Sequence, residues 1–133
     1  MGVKAPDGER CPCGSGDVYA DCCRPLHTGE RPAETALALM RSRFSAFALG
    51  QGDYLLASWH PRTRPKRLHL DRDVQWRRLQ IVDTDAGAHD DTSGVVEFRA
   101  QYVRDGARHI LHERSRFTRE KGRWLYLDGD ELE

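Results

Sequence analysis

Residues 94–128 read GVVEFRAQYVRDGARHILHERSRFTREKGRWLYLD, and their two-residue alternation decides the fold. Val96, Phe98, Ala100 and Tyr102 share one side of a strand over Gly94–Val103. Asp105-Gly106 is a strong hairpin signal, because both residues tolerate the left-handed backbone of a tight turn. Arg108–Arg119 is then the returning strand, with Leu111, Glu113, Ser115 and Phe117 on one face and His112, Arg114 and Arg116 on the other. Lys121-Gly122 marks a second tight turn, and Arg123–Asp128 a last strand. Trp76–Asp83 reads as an earlier strand, joined to this set by the acidic, Gly-containing turn Asp85–Ser93. The tail Asp130, Glu131 and Glu133 reads as frayed.

Upstream the period changes. Leu37, Met40, Phe44, Phe47 and Ala48 recur at helical spacing after a start at Glu34 or Thr35, and Gly50 and Gly52 end the helix. A short helix follows over Asp53–Trp59, with Asp53 as its cap and His60-Pro61 as its stop. Residues 61–73 are basic and irregular. Helices first and an antiparallel meander afterwards predict an α+β domain, the long helix lying across a curved sheet.

The remaining segment carries every cysteine in the chain: Cys11-Pro-Cys13-Gly-Ser-Gly-Asp-Val-Tyr-Ala-Asp-Cys22-Cys23. Clustered cysteines close no long loop, so they read as a metal site and not as a disulfide framework. Four thiolates complete a tetrahedral zinc ion and leave no open position, which predicts one structural zinc per chain held by Cys11, Cys13, Cys22 and Cys23. Two alternatives stay open: a redox pair, and His27 in place of Cys23. Residues 1–32 form the zinc-binding segment and residues 33–133 the α+β domain; residues 1–10 read as weakly ordered.

Composition narrows the function. The 133 residues carry 21 basic and 21 acidic side chains, a net charge of zero that argues against a dedicated nucleic-acid binder. No apolar run is long enough to span a bilayer, and the polar N-terminus lacks the apolar core of a secretory signal. With Pro6 at the sixth position, Met-Gly is a poor acylation signal. A cytoplasmic location is expected.

The string CPCGSGDVYADCC resembles the SEC-C motif, the zinc-binding tail of the SecA translocation ATPase. The strings Leu39-Met-Arg-Ser-Arg-Phe-Ser-Ala-Phe47, Ser58-Trp-His-Pro61, Glu113-Arg-Ser-Arg-Phe117 and Trp124-Leu-Tyr-Leu-Asp-Gly129 extend the resemblance, over nearly the whole chain, to the YchJ family of small SEC-C proteins. That resemblance implies a cystatin-like domain of the nuclear transport factor two type: a cone made by a long helix and a curved antiparallel sheet. It also implies a knuckle that docks a protein partner or the ribosome, with Tyr19 and Asp21 as candidate exposed contacts, and a possible homodimer through the sheet. Many members carry a second SEC-C copy, whereas this sequence shows one, so a function that needs two knuckles would require pairing of chains.

Domains of this type often keep a pocket between helix and sheet. Glu113 and Ser115 fall on the inward face; Arg41 or Arg43 could partner the carboxylate, and His60 could pair with Glu113 or Asp128. A buried ion pair that fixes packing and a pocket acid or base both remain open, as do a capping and a catalytic His60. The basic stretch 62–78, with Trp59 and Trp76 near it, reads either as a solvated face or as a contact to RNA phosphates without sequence specificity. A non-catalytic adaptor is the leading expectation, and a pocket enzyme or small-ligand binder is the alternative.

Overall fold

The computed structural model describes residues 7–132. Four strands, β1 (Val74–Ala86), β2 (Ser93–Arg104), β3 (Ala107–Glu120) and β4 (Arg123–Glu131), form an antiparallel meander in chain order. The two tight turns work as the alternation predicts. Asp105 and Gly106 take φ of 52° and 78°, Lys121 and Gly122 take 53° and 78°, and this left-handed pair matches the twist of the strands it joins. The strands run longer than read from sequence. Asp130 and Glu131 are not frayed: both lie in β4, and Asp130 receives Arg116 at 2.8 Å, while the expectation for Glu133 lies outside the described residues.

One irregularity matters for the site. Phe117 pairs with Tyr126, but Arg116 pairs with Asp128, so Leu127 is an extra residue in β4. A bulge of this kind reverses the alternation beyond it. Tyr126 therefore faces inward, whereas Asp128 faces outward to Arg116 at 2.5 Å.

One helix, α2 (Ala36–Leu49), covers the inner face, and the short helices α1 (Arg24–His27) and α3 (Gly52–Ala57) pack on α2. Thr35 caps α2 by accepting the Ala38 amide at 3.0 Å, and Gly50 ends it with φ of 73°. Gln51, not Asp53, occupies the cap of α3, and Asp53 falls in its first turn. One side of α2 buries Ala36, Met40 and Phe44 against Leu79, Val96, Phe98, Ala100, Phe117 and Trp124 of the sheet. The opposite side is buried too, and it carries Ser42, Ser45 and Leu49, while Arg43 lies on the sheet side, over Tyr126. The expected stripe is thus only half of the buried surface: Leu37, Phe47 and Ala48 are half-buried, because the polar back of the helix is also covered.

The outer face of the sheet is a lattice of ion pairs. His112 and Arg114 hold Glu97 at 2.8 and 2.9 Å, and Arg114 also reaches Asp83 at 3.1 Å. The Glu97 carboxyl is held below its ordinary range, first by the His112 hydrogen bond and then by Arg114. Residues 7–10 are ordered against the knuckle, contrary to expectation: the Tyr19 amide bonds Glu9 O at 2.8 Å, and Arg24 meets Asp7 at 3.3 Å. The expectation for residues 1–6 lies outside the described residues. No helix among the described residues is long and apolar enough to cross a membrane.

The start of α2 is pinned to the β1–β2 turn by a close approach. The Ala36 amide donates to Gly87 O at 3.0 Å, and a Cβ at Gly94 would stand 2.5 Å from the Gly87 Cα and 3.1 Å from the Ala36 Cβ. Gly94→Ala is expected to lower stability by about 2 kcal/mol through this overpacking. Gly8→Ala, which meets open space, should leave the urea midpoint unchanged. Equal midpoints for the two variants would contradict the contact.

Candidate metal centre

The knuckle folds as two short arms closed by the back of α2. Residues 11–14 turn tightly, with the Cys11 amide on Asp17 O at 2.9 Å and the Gly14 amide on Cys11 O at 3.2 Å. Cys22 and Cys23 follow a single 3-10 turn at Tyr19–Asp21. The four Sγ atoms lie within 4.8 Å of one another. Cys13 and Cys22 are 3.6 Å apart and Cys22 and Cys23 3.9 Å, and all four cysteines are free thiols. Cys11, Cys13 and Cys23 are buried, and Cys22 is half-buried. Such a donor set is compatible with a metal ion.

Crowding shapes the ionisation of these thiols. Hydrogen bonds from Cys11 and then Cys23 hold Cys13 far below the usual thiol range. Cys23 is pushed far up by its hydrogen bonds to Cys11 and Cys13 and by burial, and Cys22 is pushed up to about 11, mainly by burial. Four thiols this close do not all ionise without a cation among them.

The surrounding contacts come from α2. Ser45 Oγ donates to Cys23 Sγ at 3.2 Å and lies 3.3 Å from Cys11 Sγ. Ser15 Oγ is 3.1 Å from Cys22 Sγ. Arg41 Nη1 donates to Cys13 O at 2.9 Å. Hydrogen bonds of this kind orient sulfur ligands and spread their charge. Sequence reasoning missed Ser45. Its signal is the polar run Arg41-Ser-Arg-Phe-Ser45, which places Ser42 and Ser45 three apart on one helix face.

His27 sits beside the cluster with both ring nitrogens engaged. Its Nε2 faces Ser42 O at 2.8 Å, an acceptor that fixes the proton on Nε2. Nδ1 then accepts from the Tyr19 hydroxyl at 2.7 Å, and that oxygen accepts from Gln51 Nε2 at 3.0 Å. His27 is not among the four clustered residues. Tyr19, expected to be exposed, is only 6% exposed and anchors the knuckle to this network; Asp21 is exposed.

The pocket candidates separate into two places. Glu113 Oε1 accepts from Ser115 Oγ at 2.5 Å and from the Tyr126 hydroxyl at 3.2 Å. Arg43, 4% exposed, donates to Leu55 O at 2.8 Å and Ser58 Oγ at 2.7 Å, and its guanidinium lies over the rings of Tyr126 and Trp59 at 4.6 and 4.9 Å. Burial pushes the Arg43 pKa down to about 10, which still leaves it charged at neutral pH. Glu113, Ser115 and Arg43 are thus brought together through Tyr126, a residue the sequence reading did not select, and burial followed by the Glu113 charge raises the Tyr126 pKa.

Two candidates fall elsewhere. Arg41 points from the opposite side of α2 to the knuckle, because two residues along a helix turn a side chain by about 200°. His60 bonds Glu120 at 2.7 Å; its proposed partner Asp128 is turned outward by the β4 bulge. A cleft of about 490 Å³ opens away from Glu113, between α1, α3 and the start of β4, with Tyr54, Arg123 and Trp124 in its wall.

The chain resembles known proteins along its length. Residues 35–129 match the family model of the YchJ middle NTF2-like domain, and residues 9–25 match the SEC-C motif. A UPF0225 protein of Chromobacterium violaceum is 53% identical over 122 residues, covering 90% of each chain. Another from Streptomyces coelicolor is 52% identical, covering 92% of this chain and 96% of the relative. The solution structure of a SEC-C motif containing protein from Rhodopseudomonas palustris matches with a TM-score of 0.81 and 34% identity, over 92% of this chain and 98% of that one. A crystal structure of a SEC-C motif containing protein from Psychrobacter arcticus matches with a TM-score of 0.74 and 27% identity, over 89% and 80%.

The buried His27 carries a pH prediction. Burial lowers its pKa below the ordinary 6.5, so on acidification the unfolded chain takes the proton first. The His27 contribution is fully present above pH 6.5 and falls as the pH drops below that value. Stability measured by urea unfolding between about pH 5.5 and 7.5 should fall more steeply for the wild type than for His27→Gln. Parallel curves would show that His27 does not titrate against folding.

Proposed function

The chain belongs to the YchJ (UPF0225) family of SEC-C motif proteins, and from that premise we propose that it is a zinc-stapled, non-catalytic docking adaptor. The observation that carries this reading is the closed four-sulfur set. Zinc–sulfur bonds of about 2.3 Å in a tetrahedron set sulfurs about 3.8 Å apart. The separations of 3.6 and 3.9 Å support that geometry. Cys11, Cys13, Cys22 and Cys23 would hold the ion, and four thiolates leave no place for a reactive water. When bound, the zinc supplies a cross-link between the two arms of the knuckle. The segment 1–32 then serves as a presenting element fixed to the domain 33–133.

The outward side of that element is what a partner meets. Gly14, Ser15, Gly16, Asp17 and Asp21 are exposed, whereas Tyr19 and Pro25 face inward. The partner is a protein, free or on the ribosome. The dispersal of Arg41 and His60 away from Glu113 favours this over a pocket enzyme.

Native mass spectrometry should find one zinc per chain, and Cys22→Ser should reduce it. Ser45→Ala keeps all four sulfurs and should weaken zinc about tenfold in chelator competition. Full zinc retention by both variants would remove the four-cysteine assignment.

For docking, a photocrosslinker placed in cells at Asp21 should give one dominant protein adduct. The same group at Asp90, exposed at the far β1–β2 turn, should give none. Purified ribosomes then decide whether that partner is ribosomal. Identical adduct patterns at the two positions would overturn the docking surface.

A further inference from the structure

The inner face of the sheet ends in an aromatic row that α2 leaves open. Trp76, Tyr102 and His109 stand opposite one another on β1, β2 and β3. Trp76 and Tyr102 have centroids 5.0 Å apart; Tyr102 and His109 are 5.1 Å apart and stacked within 19°. Only the Trp76 end is covered, by Phe44 and Phe47 of α2 at 6.0 and 5.8 Å. Tyr102 is half-buried and His109 is exposed.

The basic segment 61–73 leads to this open end, which it reaches where Val74 pairs with Arg104. It leaves the β4 edge, where the His60 amide bonds Tyr126 O at 2.8 Å and Thr63 Oγ1 bonds Leu127 O at 2.5 Å. It arrives at the start of β1, the opposite edge, three strand spacings of about 4.8 Å across the sheet and, from the level of Phe117 to that of Ala107, ten residues along β3. Leu70 packs beside Gly52 of α3, which fixes the crossing on the helix side, and Asp71 holds Arg104 at 2.7 Å at the end of β2. Arg62, Arg64, Lys66 and Arg67 are all exposed on this crossing. The ion pairs among the described residues use none of these four. Asp71 and Asp73 are the only carboxylates in the segment, and Asp71 is already engaged.

We propose that this end of the concave face binds single-stranded nucleic acid without sequence preference. The four cations take backbone phosphates, and an unpaired base laid on the exposed His109 ring continues the Tyr102–His109 stack. A charged track beside stacked rings is the chemistry that recognises an unpaired strand, since every base offers a flat face. A duplex keeps its bases inside its own stack and cannot use the row. The surface is separate from the knuckle, so this inference does not depend on the docking reading.

The test uses the intact zinc-loaded chain and a fluorescein-labelled oligouridylate of about twelve nucleotides, followed by anisotropy. Affinity should fall linearly on a log–log plot between about 50 and 200 mM salt, with a slope near −3 for four phosphates neutralised. Arg62→Ala/Arg64→Ala/Arg67→Ala should remove most of that slope. His109→Ala should weaken binding about tenfold at fixed salt and leave the slope unchanged. These side chains are exposed, so melting temperatures should match the wild type. Three results would each overturn the proposal: no binding at the lowest salt, equal binding of a duplex of the same length, or unchanged binding by His109→Ala.

Discussion

The structure depends on a helix that is buried on both sides. The sheet-facing side of α2 is apolar except for Arg43, which lies over Tyr126. The back carries Ser42 and Ser45, and polar groups removed from water, on either side, need hydrogen-bond partners. Those partners come from elsewhere in the chain. Ser42 O receives His27, and Ser42 Oγ meets the Tyr54 hydroxyl at 2.6 Å; Ser45 faces two cysteine sulfurs; Arg43 is satisfied by the end of α3. The knuckle and α3 therefore complete the polar inventory of the helix, and they are not separate additions to a finished domain. A cysteine cluster resting on a rigid helix is also held in place by the sheet below it.

This arrangement explains which parts of the fold were legible in sequence. The meander was, because one-sided burial of a strand writes itself as alternation, and Asp105-Gly106 and Lys121-Gly122 are the turn pairs that such strands require. The apolar side of α2 was legible for the same reason. Its back was not, since Arg41, Ser42 and Ser45 look like a solvent face until their partners are known. The cysteine cluster was legible from spacing alone. Its outer contacts were not, because Ser45 lies 22 residues from Cys23 along the chain.

The inner site shows a different limit. Parity placed Glu113 and Ser115 correctly on the inward face, and the structure groups them. Alternation breaks in β4, where one extra residue at Leu127 turns Asp128 outward, away from the place a pairing with His60 would need. Nothing in Trp124-Leu-Tyr-Leu-Asp128 announces a bulge. The same bulge leaves Tyr126 inward, where its hydroxyl serves Glu113 and its ring face serves Arg43. A carboxylate and a guanidinium, expected to meet directly, are instead joined through an aromatic ring. That link stabilises both charges without bringing them into contact.

Net charge was a poor guide for a related reason. Zero is a sum over surfaces that do not mix. The outer sheet pairs its arginines with acids on neighbouring strands, through Glu97, Asp83, Asp128 and Asp130. None of those acids is in an ion pair with Arg62, Arg64, Lys66 or Arg67. These four exposed cations are thus unpaired among the described residues, although the whole chain balances. Screening over about 8 Å at physiological salt makes the local arrangement, and not the sum, the quantity a partner senses. The outer face of the sheet is thus internally compensated, while the exposed cations of the segment that joins β4 to β1 are not.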